Sequence, residues 1–115
     1  MAKLRFSQRG ISLPSHGIKC LSMFGSGDLV FYSVNAPWPE FPINRSFYRI
    51  VHVPTERTLC VAITQPAARE VIERFHSLAF DWTQVFEQGA PENQRLYRVL
   101  STLAQDNLIF TGKLD

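Results

Sequence analysis

The chain has 115 residues, 45% hydrophobic and 19% charged, with nine Phe, three Tyr and two Trp. That length fits a single domain, residues 1–115, leaves no room for a second core, and carries too much apolar surface for a disordered chain. The longest unbroken apolar run is Leu59 to Ile63, far short of the roughly 20 residues a membrane-spanning helix needs, so no membrane contact is expected.

Twelve Lys/Arg against ten Asp/Glu give a formal charge of +2, well short of the clustered excess of a nucleic-acid binder. The distribution is uneven. Residues 1–60 hold seven bases and three acids, a balance of +4, and residues 61–115 hold five bases and seven acids, a balance of −2. A chain divided in this way can turn a basic face to an acidic partner.

Lys3 to Gln8 reads as a short strand and Arg9 to Gly17 as a loop, because Gly10, Pro14 and Gly17 punctuate it. Ile18 to Phe24 and Leu29 to Val34 flank Gly25-Ser26-Gly27-Asp28, the pattern of a β-hairpin. Asn35 to Ser46 carries Pro37, Pro39 and Pro42 around Trp38 and Phe41, so it is an extended or ordered loop and neither a helix nor a central strand. A second hairpin runs from Phe47 to Val53 and from Thr58 to Thr64. In its first strand Tyr48, Ile50 and His52 share a face; in its second, Leu59, Val61 and Ile63 oppose Thr58, Cys60, Ala62 and Thr64. Both faces are apolar, which places this hairpin centrally in the sheet.

Helical spacing begins at Thr64 or Gln65 with Pro66 in the first turn, and continues through Ala68, Val71, Ile72, Phe75, Leu78 and Ala79. Glu70 and Arg74 form an i,i+4 pair on its outer side. Asp81-Trp82-Thr83-Gln84 has the form of a capping box, and predicts a helix of about two turns ending at Gly89. A third helix starts at Pro91, turns Leu96, Val99, Leu100 and Leu103 inward, and stops at Asn107. Leu108 to Thr111 is a candidate last strand. The fold class is α+β: an antiparallel sheet of four or five strands from the N-terminal two-thirds, packed by two or three helices from the C-terminal third.

Cys20 and Cys60 stand forty residues apart with no Cys or His at zinc-like spacing, so no metal is expected, and each reads as a small buried hydrophobe. The opening Met1 to Gly10 is basic with no apolar signal core, which points to a cytoplasmic protein with reduced thiols. Gly25-Ser26-Gly27 lacks both the third glycine of a dinucleotide loop and the Gly-Lys-Ser/Thr ending of a phosphate loop, so it is a turn and no cofactor is expected.

Three groups of residues bear on function. His52, Arg49 and Tyr48 place an acid/base, a cation and a phenol in one hairpin, the set that small endoribonucleases use, although alternation sets Arg49 opposite His52. Arg95, Arg98, Thr102 and Gln105 lie on one helix face. The order of helix, short helix, longer helix and then Leu108 to Lys113 resembles that of a winged-helix domain, and the resemblance implies nucleic-acid binding through those four residues. Trp38 and Phe41, stiffened by prolines with Arg45 at the edge, form a contact loop of the residue types that dominate interfaces. With no triad, metal set or phosphate loop, the sequence favours a non-enzymatic binding or regulatory protein. It would act through protein–protein contacts at Trp38, Phe41, Arg45 and Arg49, for instance as an inhibitor or accessory factor of a nucleic-acid-handling complex. An exposed sheet edge also permits a homodimer.

Overall fold

The computed structural model describes residues 5–34 and 46–110. Five strands, β1 (Ser7–Leu13), β2 (Ile18–Ser26), β3 (Leu29–Val34), β4 (Phe47–His52) and β5 (Arg57–Ala62), form one antiparallel sheet in sequence order. Two helices follow, α1 (Gln65–Ser77) and α2 (Pro91–Gln105). The architecture is therefore α+β, as the order of strand and helix signals predicts.

The first strand differs from its expected position. Residues 7–13 pair with β2 and only Pro14–His16 form a short 3-10 turn, closed by Gly17 at φ 72°. Gly10 misled because a glycine in an edge strand is tolerated wherever its partner strand supplies the hydrogen bonds. The β2–β3 turn is also tighter than Gly25-Ser26-Gly27-Asp28. Gly25 belongs to β2, where a Cβ would run into the Leu29 carbonyl and Val30 Cα, and Gly27 at φ 60° makes the turn.

Helix α1 starts where expected. The Thr64 side chain accepts from the Ala67 amide at 3.2 Å, and Pro66 occupies the first turn. Ala68, Val71, Ile72 and Phe75 are fully buried against Leu29, Phe31 and Ile50 of the sheet, and each larger side chain contributes about 1.5–3 kcal/mol of apolar burial. The helix ends at Ser77, so Ala79, exposed at φ 48°, is outside its stripe. No two-turn helix follows. The Asp81 carboxylate accepts from the Thr83 amide and hydroxyl at 3.1 and 2.6 Å, which closes an Asx turn in place of a cap, and successive turns lead to Gly89. Helix α2 buries Leu96 and Leu103, half-buries Val99 and Leu100, and stops at Asn107, φ 60°. After it, Ile109 bridges Ala62, so Leu108–Phe110 add a short antiparallel segment beside β5.

The sheet is not flat. The β1–β2 turn and the β2–β3 turn sit at opposite ends of the nine-residue β2, about 30 Å apart in an extended strand. Yet Ser15 donates from its amide and hydroxyl to the Glu56 carboxylate at 3.0 and 3.1 Å, and Glu56 lies in the β4–β5 turn beside the β2–β3 turn. The distal half of the β1–β2 hairpin must therefore fold across β3 and β4. It encloses a second core of Leu13, Met23, Val30, Tyr32 and Val51 on the face opposite the helices, here called the inner face.

Candidate functional site

Because the hairpin folds over, β2 and β3 part company early. Their ladder has three pairs, Phe24↔Phe31 to Ser26↔Leu29, whereas β3 pairs with β4 along its whole length from Leu29 to Val34. Where the strands separate a cleft of about 300 Å³ opens, walled by Ser22 and Met23 of β2, Tyr32 and Ser33 of β3, and Gln8, Tyr48 and Gln65 around it. That volume is at the small end of ligand sites. It admits a few side chains or a short extended segment, and its rim carries hydroxyl and amide groups able to donate and accept.

The inner face of the sheet carries two arginines, Arg9 and Arg49. The five strands together hold four bases, Arg9, Lys19, Arg49 and Arg57, and no acid. Arg49 lies opposite Tyr32 and donates to its hydroxyl at 2.9 Å, with the guanidinium 5.8 Å from the ring centre. Arg9 stands opposite Met23, one wall of the cleft, and alternation puts it on the inner face with Ile11 and Leu13. Its Nε and Nη2 are buried and have no hydrogen-bond partner.

Arg49 and His52 are not brought together. The hairpin does contain a bulge, but the extra residue is Leu59 in β5, between the pairs Ile50↔Cys60 and Val51↔Thr58. Strand β4 stays regular, so Arg49 keeps the inner face and His52 the helix face. The same bulge turns Leu59 toward the helix-side core beside Cys60 and Ala62, and separates it from Val61.

His52 is 2% exposed and lies under Trp82, the two rings 4.3 Å apart and 15° from parallel. Its Nδ1 is 2.9 Å from the Thr55 hydroxyl, and Nε2 is buried without a partner. Burial lowers its pKa below the ordinary histidine value, against the opposing pull of the Asp28 charge. Trp82 and Phe86, which cover it, come from the turns after α1. Tyr48 shares the helix face but packs on Phe31, with ring centres 5.9 Å apart.

The four α2 residues divide. Arg95 donates to the Leu78 carbonyl, pairs with Glu92 at 3.4 Å and lies over the Phe80 ring, which fastens α2 to the end of α1. Arg98, Thr102 and Gln105 are exposed, and the Thr102 hydroxyl donates to the Arg98 carbonyl. The winged-helix order is not formed, since turns stand where its middle helix belongs.

No family model, curated protein or solved structure matches the chain. Its site is therefore read from its own chemistry.

Trp38, Phe41 and Arg45 lie outside the described residues. The segment that carries them leaves from Val34 and re-enters at Phe47, partners in the β3–β4 ladder, so its ends flank the Tyr32, Ser33 and Tyr48 walls of the cleft. Among the described residues no three His, Cys, Asp or Glu side chains gather as metal ligands would. Cys20 is exposed, contrary to expectation, because a bulge between the pairs Ile11↔Leu21 and Leu13↔Ile18 breaks the alternation of β2 around it. Cys60 packs against the helix-side core, and burial pushes its thiol up to about 12. Sequence reasoning missed Arg9, Tyr32 and Trp82. The alternation Arg9, Ile11, Leu13 was the signal for the first, and became visible only once residues 7–13 formed a strand.

Proposed function

We propose that this is a non-enzymatic binding or regulatory protein acting through protein–protein contacts at the cleft end of the sheet. The observation that supports this most is the open, hydroxyl-rimmed cleft between β2 and β3, beside a strand set that holds bases and no acid. The Pro/aromatic segment with Trp38, Phe41 and Arg45 leaves the sheet at that end, and Arg49 is two residues in from it. A partner with an acidic contact surface fits this charge pattern. An inhibitor or accessory factor of a nucleic-acid-handling complex is a role of that kind.

Affinity capture from the native host with wild type, Trp38→Ala, Arg45→Ala and Arg49→Ala tests it. Loss of a captured protein in the Trp38 and Arg45 variants with an unchanged melting temperature is the expected result. Capture that survives all three substitutions, or is lost only along with the fold, would sink the proposal.

A further inference from the structure

We propose that the open edge of β3 in the cleft takes up a short extended segment of a partner, with alternating apolar and neutral amide side chains, as an added strand bonded to Ser33. The inference rests on the binding function proposed above and names what enters the cleft.

Alternate residues of a strand turn their N–H and C=O to opposite neighbours. The Val53 amide donates to the Asp28 carbonyl at 2.9 Å, which sets Val30, Tyr32 and Val34 facing β4, and Leu29, Phe31 and Ser33 facing β2. Leu29 and Phe31 meet Ser26 and Phe24 there, and the ladder stops at the Phe24↔Phe31 pair. Ser22 would come next in register, but the strands have parted, so the N–H and C=O of Ser33 point into the cleft with no β2 partner. Ser33 is exposed, as is Ser22 across the gap, so the gap is open to an incoming chain.

A residue laid opposite Ser33 exchanges two main-chain bonds with it. Its N–H donates to the Ser33 carbonyl, and its carbonyl accepts from the Ser33 N–H. Cross-strand neighbours share a face, so its side chain lies on the helix side with Ser33 and Tyr48, among the amides of Gln8 and Gln65 and the Ser22 hydroxyl. The residues before and after it turn to the other side, where Met23 and Tyr32 belong to the apolar inner core. No described residue that lines the cleft is charged. A carboxylate or ammonium there would lose water without gaining an opposite charge, whereas a glutamine or asparagine finds donors and acceptors. The fitting sequence is therefore an apolar residue, an amide and an apolar residue, which leaves acidic contacts to the surface outside the cleft.

Three peptides blocked at both ends test this. Thr-Val-Gln-Val-Thr has the fitting alternation, Thr-Val-Glu-Val-Thr places a carboxylate at its centre, and the third is the Gln peptide methylated on its central main-chain nitrogen, which keeps every side chain and removes the donor to Ser33. NMR of amides and methyls in the full chain follows each titration. The Gln peptide should bind with a Kd of about 1 mM or tighter and shift the Ser33 amide and the Met23 methyl. The Glu and N-methyl peptides should each bind about tenfold more weakly. Ser33→Pro removes the N–H that faces the gap and none that faces β4, and should weaken the Gln peptide to the level of its N-methyl form; if that variant unfolds, the methylated peptide still decides. An N-methyl or Glu peptide that binds as well as the first, or no shift at Ser33 with any peptide at about 5 mM, overturns the proposal. Either result beside partner capture that is lost in Trp38→Ala and Arg45→Ala would remove this inference and leave the binding function. Peptide binding that depends on the main-chain donor, in a protein whose partner capture ignores Trp38 and Arg45, would do the reverse.

Discussion

Acidification should weaken this fold through His52. The imidazole is nearly inaccessible, stacked on Trp82, with a buried Nε2 that has no acceptor for a proton to face. Its folded pKa is lowered by burial, so the unfolded chain binds the proton more readily. By linkage, stability is fully present above the unfolded value of about 6.5, and is lost as the pH falls from there toward the folded pKa. One group cannot change stability by more than about 1.36 kcal/mol per pH unit, and the Asp28 charge together with residual solvent screening keeps the slope below that ceiling. For a domain whose total stability is about 5–15 kcal/mol such a slope is readily measured. Urea melts of wild type and His52→Gln at pH 5, 6, 7 and 8 would isolate it, because His16 and His76 are common to both proteins and cancel in the difference. The wild-type advantage should be constant between pH 7 and 8 and shrink below pH 6.5. A difference that stays flat down to pH 5, or a His52 titration by NMR centred above 6.5, would refute the reasoning.

Other outcomes follow from particular contacts. Gly27→Ala combines a left-handed backbone with a Cβ 2.9 Å from His76 Cε1, whose ring bonds the Ser26 carbonyl. Gly89→Ala, at φ 86° with nothing within 4 Å, carries backbone strain alone; chemical denaturation should show a loss of about 1–2 kcal/mol there and a larger one at Gly27. A thiol reagent should label exposed Cys20 in the native protein well before the partly buried Cys60, whose thiol is raised to about 12 and so forms little thiolate until the chain unfolds. Arg95→Ala should lower the melting temperature, since it removes the Leu78 and Glu92 contacts and uncovers Phe80, whereas Arg98→Ala should leave it within error. If duplex DNA is retained on the α2 face, Arg98→Ala should release it without unfolding, and the absence of any low-salt gel shift would end that alternative.

The helical third was legible because periodicity and caps agree there: Thr64 with Pro66 opens α1, and Val71, Ile72 and Phe75 repeat at helical spacing. Asp81 shows why the middle helix was not. The same carboxylate serves a cap or an Asx turn, and only the packing of Trp82 onto His52 decides between them. Strand existence was read well and strand phase poorly. A bulge leaves no mark in composition, so alternation alone puts Leu59 on the wrong face, while Gly10 and Pro14 make residues 9–13 read as a loop. The cleft was illegible for a further reason, since it arises where two strands stop pairing and depends on how far the hairpin curls. Charge asymmetry points to the basic half but does not show that Arg9 lies on the inner face with two nitrogens buried.

The three-pair ladder between β2 and β3 also makes the molecule mechanically uneven. Strands β3 and β4 are shared by both cores, while the β1–β2 hairpin is secured to them by that short ladder, by the inner-face apolar contacts and by Glu56 at its tip. Such an element can open as a unit at a free energy below that of global unfolding, so its amides would exchange with solvent before those of β4. Opening would pivot about Phe24 to Ser26, widen the cleft, and draw Phe6 away from Arg69 of α1. An occupant that bonded both walls would act as a clasp, and the width of the cleft would then report whether the clasp is fastened.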